Sequence, residues 1–129
     1  MAQLKEKCIN YLREEGYCPN VDNDGDVMFK VQGATLFLMD DENDETFLKI
    51  WLPQFWSLDD DQERAKAHFV SNKLNKEYKC GKIFLHNDNT HAVCELFVDE
   101  NSAVLKETIM RCLNILTSMR GEFKVLMQG

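Results

Sequence analysis

The sequence lacks every short motif that usually marks a catalytic or cofactor-binding site. It contains no glycine-rich phosphate loop, no complete set of metal ligands, and no serine or cysteine beside a base in a recognisable motif. Its first residues have no apolar signal-peptide core, and no run approaches the roughly 20 apolar residues of a membrane-spanning helix. These absences predict a non-enzymatic protein of the cytoplasm that carries no cofactor.

Positive charge is also in short supply. The 15 lysine and arginine residues are outnumbered by 22 aspartates and glutamates, which leaves a net charge of −7. A protein that binds nucleic-acid phosphates or an anionic membrane needs a basic surface, so we expect neither as a partner. The acidic surface suits solubility or, alternatively, a basic partner.

Cysteine pairs of the Cys-x-x-Cys type are missing, because the five cysteines are odd in number and scattered along the chain. Cys8, Cys94 and Cys112 fall inside periodic segments and are predicted to be buried. Cys18 and Cys80 lie at loop-like positions. This pattern is typical of a reducing compartment, and it predicts free thiols without a structural metal.

What is present is an ordinary globular composition, with 44% hydrophobic residues in a chain of 129. That length suffices for one sizeable core. No repeat, low-complexity segment or linker interrupts the chain, so we expect one domain over residues 1–129.

The stretch from Asp60 to Leu85 organises the rest of the chain, since it predicts one long helix that runs directly into a strand. Acidic residues at 59–61 and three lysines before Gly81 suit the two ends of a helix dipole. Gly81 fits a left-handed stop. One stripe of the helix is predicted to face the core, namely Ala67, Val70, Leu74 and Tyr78.

Phe69 lies well off this stripe, and Lys66 and Lys73 separate it from the stripe. Two interpretations remain open for this side chain. Either a neighbouring loop covers it, or it belongs to a second buried face that contacts another subunit or a partner.

Before the long helix, alternating apolar residues predict a three-stranded antiparallel meander. Its strands are Val27–Val31, Ala34–Met39 and Thr46–Leu52, joined by the turn Gln32-Gly33 and by the acidic loop 40–45, with Pro53 as the end. A short helix over residues 3–15 precedes the meander. The segment Tyr17–Val21 contains a proline and is therefore an edge strand or a loop.

After the long helix, Lys82–His86 and His91–Phe97 predict a hairpin that is followed by a last helix. That helix begins near residues 101–102 and is expected to stop at Gly121, which leaves residues 122–129 as a short strand or a frayed tail. The chain thus predicts an α+β fold with the order helix, three-strand antiparallel meander, long helix, β-hairpin and C-terminal helix. The long helix is inserted between the third and fourth predicted strands.

Two patterns imitate metal sites without completing them. Asn20-x-Asp22-x-Asp24-Gly25 resembles the opening of a calcium loop, but Val31 stands where a glutamate is required, so a turn is the preferred interpretation. His86 and His91 flank the second hairpin turn close to Asp88. Such a set suits zinc or nickel, although no clear fourth ligand accompanies it and surface histidines are the simpler interpretation.

Both tryptophans lie close together around Pro53, in the aromatic group Trp51, Phe55 and Trp56. The first interpretation is that this group covers one end of the core where the chain leaves the sheet. The second is that it forms an apolar patch that anchors a partner, as tryptophan and phenylalanine commonly do.

The order of elements and two stretches of sequence resemble the YbjN-like family, which shares a fold with the class I chaperones of type III secretion. The first stretch is NDGDVMFKVQGATLFLMDDENDETFLKIWLPQFW, and the second is SNKLNKEYKCGKIFL. The shared features are an Asp-Gly-Asp turn before a strand, a glycine-turned hairpin, and Asn72 and Asn75 ahead of Gly81-Lys82. The resemblance covers nearly the whole chain.

The resemblance implies an α+β fold with helices packed on an antiparallel sheet, often as a homodimer. Secretion chaperones of this fold are small and acidic, and they hold an extended client segment in apolar grooves. The YbjN-like members are described instead as bacterial sensory-transduction regulators. Dimerisation in the chaperones involves the region of the long helix, which would give Phe69 a partner.

The sequence therefore favours a non-enzymatic protein-interaction module, a regulator or a chaperone-like protein that binds another polypeptide. The candidate partner or dimer contacts are Phe69, Trp51, Phe55 and Trp56. The alternative is a ligand- or metal-responsive sensor that uses the second hairpin, and an enzyme of unrecognised type is a third possibility.

Overall fold

The computed structural model describes residues 2–41 and 43–129, without the side chains of Ala2 and Asp40. The described elements are α1 (Ala2–Glu14), β1 (Asn20–Val21), β2 (Val27–Val31), β3 (Ala34–Asp41), β4 (Asp44–Ser57), α2 (Asp61–Glu77), β5 (Gly81–His86), β6 (Asn89–Phe97) and α3 (Leu105–Gln128). This order confirms the predicted α+β architecture. It adds the two-residue strand β1, which resolves the segment around Pro19 as an edge strand.

The strands form one antiparallel sheet in the order β1-β2-β3-β4-β6-β5. Helix α2 therefore carries the chain from β4 past the position of β6 to the far edge, and β6 returns to pair with β4. Alternate side chains of the sheet are buried against the three helices, which is the outcome expected of a sheet covered on one face. The core lies between that face and the helices.

Helix α2 bears out the predicted stripe, since Ala67, Val70 and Leu74 are buried. Asp60 precedes the helix in an extended conformation, and its carboxylate accepts a hydrogen bond from the Glu63 amide. The predicted left-handed stop at Gly81 is wrong by one residue. Cys80 adopts that conformation with φ of 67°, and Gly81 is already the first residue of β5.

Strand β4 does not end at Pro53, as the sequence predicted, but continues to Ser57. Between Leu52 and Trp56 the chain advances four residues, while the facing strand β6 advances only the two residues from Ala92 to Thr90. The extra residues form a bulge that contains Pro53 and the left-handed Gln54 (φ 52°). A bulge tolerates proline because its amide is not needed in the ladder.

The predicted acidic loop over residues 40–45 is largely strand. Strand β3 runs to Asp41 and β4 begins at Asp44, and these two residues face each other across the hairpin. The carboxylate of Asp41 accepts a hydrogen bond from the Asn43 amide, and that of Asp44 accepts from the Thr46 amide and hydroxyl. These side chains satisfy backbone amides of the turn locally. Position 42 lies outside the described residues.

Helix α3 contradicts the predicted stop at Gly121, because it runs from Leu105 to Gln128. Glycine inside a helix costs about 1 kcal/mol relative to alanine, whereas burying a phenylalanine contributes about 1.5–3 kcal/mol. Phe123 and Met127, both beyond the glycine, are buried in the core and offset that cost. The helix also starts later than predicted, since the Ser102 hydroxyl accepts from the Val104 amide in a preceding turn.

None of the helices in the described part of the chain is long and apolar enough to cross a bilayer.

Candidate functional site

The open face of the sheet, meaning the surface opposite the helices, is unusually aromatic. Strand alternation places these side chains there: Met28, Lys30, Thr35, Phe37, Met39, Phe47, Lys49, Trp51, Lys82, Phe84, His86, His91, Val93, Glu95 and Phe97. A sheet face in contact with water normally carries polar side chains. Val93 is only 1% exposed yet stands apart from the main core, so the open face holds a small apolar cluster of its own.

An aromatic row crosses the open face and consists of Phe37 on β3, Trp51 on β4, His91 on β6 and Phe84 on β5. The ring centroids of Phe37 and Trp51 are 5.7 Å apart. Those of Trp51 and His91 are 5.8 Å apart, and those of His91 and Phe84 are 5.1 Å apart, both in stacked geometry. These spacings lie in the range at which aromatic pairs attract each other beyond simple burial. The row is therefore one contiguous platform of packed rings, in which Phe37, Trp51 and Phe84 are partly exposed and His91 is buried.

His91 belongs to this platform as a neutral ring. Burial, and secondarily the neighbouring His86, lowers the pKa of His91 below its ordinary value, so the uncharged form dominates at neutral pH. The amide of Gln54, in the β4 bulge, donates to His91 Nδ1 at 3.3 Å. Over residues 2–41 and 43–129, neither histidine falls in a group of three close metal-ligand atoms.

Lysines flank the aromatic row in a chain that is acidic as a whole. Lys30, Lys49 and Lys82 project from the open face. Lys49 Nζ lies 5.7 Å from the ring centroid of Trp51, and Lys82 pairs with Glu95 at 3.0 Å. A cation over an indole ring is attracted by the negative face of the ring. The platform thus combines apolar rings with local positive charge.

The outer edge of β5 is closed by a side chain from α2. The amide of Ile83 donates to Asn75 Oδ1 at 2.7 Å, and Asn75 Nδ2 donates to the Ile83 carbonyl at 3.0 Å. Asn75 thereby imitates a neighbouring strand, and it blocks the addition of another strand at this point. This asparagine is one of the residues that carried the family resemblance. A partner segment therefore cannot pair with the backbone of Ile83 at this edge, whereas the open face of the sheet is not blocked in this way.

The structure separates the three residues of the predicted aromatic group. Trp51 lies on the open face, whereas Phe55 and Trp56 pack against Phe123 of α3 on the helical side. Trp56 Nε1 also donates to the carboxylate of Glu63 at 3.0 Å. Phe55 and Trp56 therefore cover one end of the core, as the first sequence interpretation had it. The β4 bulge lies between Trp51 and this pair, and it takes Phe55 away from the face that regular alternation would give it.

Phe69 is 73% exposed on the outer surface of α2, so no loop of the described chain covers it.

Apart from Trp51, the aromatic residues of the open face were not predicted as candidate contacts from the sequence. The signal was present, because Phe37, Phe47, Phe84 and Phe97 occupy the strand positions that alternate with the core positions. Strands that are apolar at both sets of positions indicate a second apolar face.

Two further groups converge in the described residues. The carboxylates of Asp22, Asp24 and Asp26 approach one another, but Asp22 Oδ1 accepts the amides of Asp24 and Asp26, which identifies the group as a turn. The thiols of Cys80, Cys94 and Cys112 also meet, with Cys94 and Cys112 buried as predicted and Cys80 exposed. Their spacings in sequence follow no motif, so the convergence was not predicted.

Comparison with known proteins identifies the fold and the family. A family model described as "T3SS (YopN, CesT) and YbjN peptide-binding chaperone 1" matches residues 2–129. The chain belongs to this peptide-binding chaperone family. The match confirms the predicted resemblance, and the family is described by peptide binding rather than by a reaction.

Solved structures support the same fold at low identity. An uncharacterised protein from Methanothermobacter thermautotrophicus is 13% identical, with a TM-score of 0.68 over 97% of this chain and 96% of that one. YbjN from E. coli, a proposed transcription regulator, is 8% identical, with a TM-score of 0.60 over 95% of this chain and 87% of that one. Among curated proteins, none matches this chain significantly.

Proposed function

We propose that this member of the peptide-binding chaperone family holds an extended segment of another polypeptide on the open face of its sheet, without catalysing a reaction. The observation that carries the proposal is the aromatic row, which presents the partly exposed rings of Phe37, Trp51 and Phe84, packed around the buried His91, on the face of the sheet opposite the helices. Covering such a patch with another apolar surface is favourable and stabilises the complex by about 25 cal/mol per Å² of apolar surface buried.

The rings also suit a peptide for reasons of entropy and shape. The stacked contacts of His91 with Trp51 and Phe84 fix these rings before binding, so little side-chain freedom is lost when a client arrives. Tryptophan and phenylalanine are frequent anchors of protein interfaces. An extended client presents alternate side chains to the platform, which favours a segment with apolar residues at every second position.

The lysines define the second property of the client. Lys30, Lys49 and Lys82 surround the row, whereas Glu95 is the acidic neighbour already paired with Lys82. Acidic side chains between the apolar positions of the client would therefore lie near positive charge. Complementary charge raises the association rate and selects among clients, and added salt weakens it. We place this activity in a reducing cytoplasm, because the five cysteines are odd in number and scattered, which is untypical of a disulfide framework.

Two synthetic peptides test the proposal, with the same alternating apolar residues and either glutamates or lysines between them. In a Trp56→Phe background, Trp51 is the remaining tryptophan and reports binding through its fluorescence. The glutamate peptide is expected to bind saturably, with a dissociation constant at least about tenfold lower than that of the lysine peptide. Equal affinity for both peptides would contradict the charge argument.

Substitutions on the two sides of the protein locate the binding surface. Phe84→Ser removes one end of the aromatic row and is expected to weaken the glutamate peptide by about tenfold or more. Phe69→Ser makes the same chemical change on the exposed surface of α2 and should leave affinity unchanged. Circular dichroism checks that both variants fold. Peptide binding that survives Phe84→Ser but is lost in Phe69→Ser would move the site to the helices.

We also propose that Phe69 is a contact of a homodimer. Leaving its ring in water on a charged helix gains nothing, whereas burying it contributes about 1.5–3 kcal/mol per subunit. A twofold dimer uses the same patch on both subunits, so one exposed phenylalanine is buried twice.

Phe69→Glu is expected to weaken self-association without unfolding the subunit, because the buried stripe of α2 is untouched. Sedimentation equilibrium on the wild type and the variant measures this change. Phe97→Glu is the matched control, since Phe97 is 77% exposed but lies on the open face. A wild-type protein that stays monomeric at high concentration would rule the dimer out, and dissociation by Phe97→Glu alone would place the contact on the sheet.

A further inference from the structure

Three cysteines that are far apart in sequence meet where the end of α2 turns into β5. We propose that Cys80, Cys94 and Cys112 bind one thiophilic cation, Zn²⁺ or Cu⁺, through their three sulfurs. All three Sγ atoms lie within 4.8 Å of one another. This inference is independent of peptide binding, and it differs from the sequence-based expectation, drawn from incomplete ligand sets and scattered cysteines, that the chain binds no structural metal.

Each sulfur is positioned by a different element. Cys80 occupies the left-handed position (φ 67°) between α2 and β5, Cys94 lies on the helical face of β6 opposite Gly81, and Cys112 lies on α3. Gly81 brings the turn close to α3, since a Cβ atom there would lie 2.5 Å from Met119 Sδ. The fold therefore holds the three sulfurs together without a metal, which lowers the cost of ordering the site.

The spacing suits direct coordination. A Zn²⁺–thiolate bond is about 2.3 Å long, which places sulfurs about 4 Å apart around a shared ion. The observed sulfurs already lie within 4.8 Å, so only a small contraction is required. The set contains sulfur alone, and thiolates select Zn²⁺ and Cu⁺ over Ca²⁺ and Mg²⁺.

The cluster is also tied to the backbone of α3. The Cys94 thiol donates to the Cys112 carbonyl at 4.0 Å, which holds its sulfur beside the Cys112 residue.

The surroundings supply access and compensating charge. A cavity of about 310 Å³ reaches the cluster, and its lining includes Lys79, Arg111 and Thr108 beside Cys80 and Cys112. The two cations offset part of the negative charge of three thiolates around one ion. Cys80 is exposed and offers the way in. The cavity also leaves room for a fourth ligand from solvent, as a site with three protein ligands requires for tetrahedral zinc.

Zn²⁺ itself is the first probe, added to the fully reduced protein in competition with a chromogenic chelator. We expect one ion per chain and a rise in the thermal unfolding midpoint that EDTA reverses. Cys80→Ser is expected to weaken Zn²⁺ by more than about 100-fold, because even an indirect neighbour of a ligand changes affinity by 10–100-fold. Cys18→Ser changes the other exposed cysteine and should have no effect.

Co²⁺ gives a second measurement that does not depend on stability. Thiolate ligands produce an intense charge-transfer absorption with Co²⁺, and its intensity should fall in Cys80→Ser and in Cys112→Ser but not in Cys18→Ser. For Cu⁺, the same variants are compared under anaerobic conditions. Absence of stoichiometric binding of both Zn²⁺ and Cu⁺ would overturn the proposal, as would equal loss in the Cys18→Ser control.

Discussion

Replacing Leu74 by alanine is expected to lower the free energy of unfolding by about 2–5 kcal/mol. Leu74 is 0% exposed and lies on the stripe of α2 that faces the sheet, between the buried Val70 and the partly buried Tyr78. Truncation removes buried methyl groups and leaves a cavity that the surrounding strands fill only in part. Urea-induced unfolding, followed by far-UV circular dichroism, measures the change.

Phe69→Ala on the same helix is the matched control for this experiment. Its side chain is 73% exposed, so under conditions in which the protein is monomeric its loss should change stability by no more than about 0.5 kcal/mol. If Leu74→Ala lowers the free energy of unfolding by less than about 0.5 kcal/mol, the residues of the stripe are not what packs α2 against the sheet. If Phe69→Ala costs as much as Leu74→Ala, the two faces of the helix are assigned incorrectly.

Replacing Gly81 by alanine is expected to destabilise the protein by about 1–3 kcal/mol through overpacking. The added Cβ would lie 2.5 Å from Met119 Sδ and 2.7 Å from Ile115 Cγ2, both on α3. Ile115 Cγ2 is attached to Cβ, so it cannot move away without shifting the helix, and the flexible Met119 side chain is fully buried and can move only by displacing its packed neighbours. Thermal and urea unfolding of the variant measure the loss.

Gly121→Ala provides a control with the opposite expected sign. Gly121 lies inside α3 with no atom within 4 Å of the position of a Cβ. Alanine is the better helix former, so this variant is expected to gain about 0.4–1 kcal/mol. Equal changes in stability in the two variants would show that α3 is not closely packed against the start of β5.

The sequence by itself determined the elements whose pattern is local. The alternation of β2 and β3, the buried stripe around Leu74, and the acidic start of α2 at Asp60 all appear where they were predicted. Cys94 and Cys112 are buried, as their periodic surroundings indicated. Helical and strand periodicity, together with the end preferences of helices, act over a few residues, so they are legible without knowing what packs against what. The family resemblance was legible for the same reason, because it rests on ordered turns and strands.

Only the tertiary structure decided where elements end and which side chains meet. Proline normally interrupts a strand, but a bulge facing β6 accommodates Pro53 within β4. Glycine normally weakens a helix, but the burial of Phe123 offsets the cost of Gly121 within α3. These terms come from partners distant in sequence, and no local pattern contains them.

The candidate sites depend still more on distant partners. Regular alternation would place Trp51 and Phe55, four residues apart, on one face of the sheet, but the bulge between them lets Phe55 join Trp56 against Phe123 of α3. The aromatic row needs four strands in one register, and the thiol cluster needs β6, α3 and the end of α2 at one point. The sequence shows which residues each strand carries, but the interactions that bring the strands and helices together are spread over the whole core. For this reason both the peptide platform and the sulfur site emerged only from the folded chain.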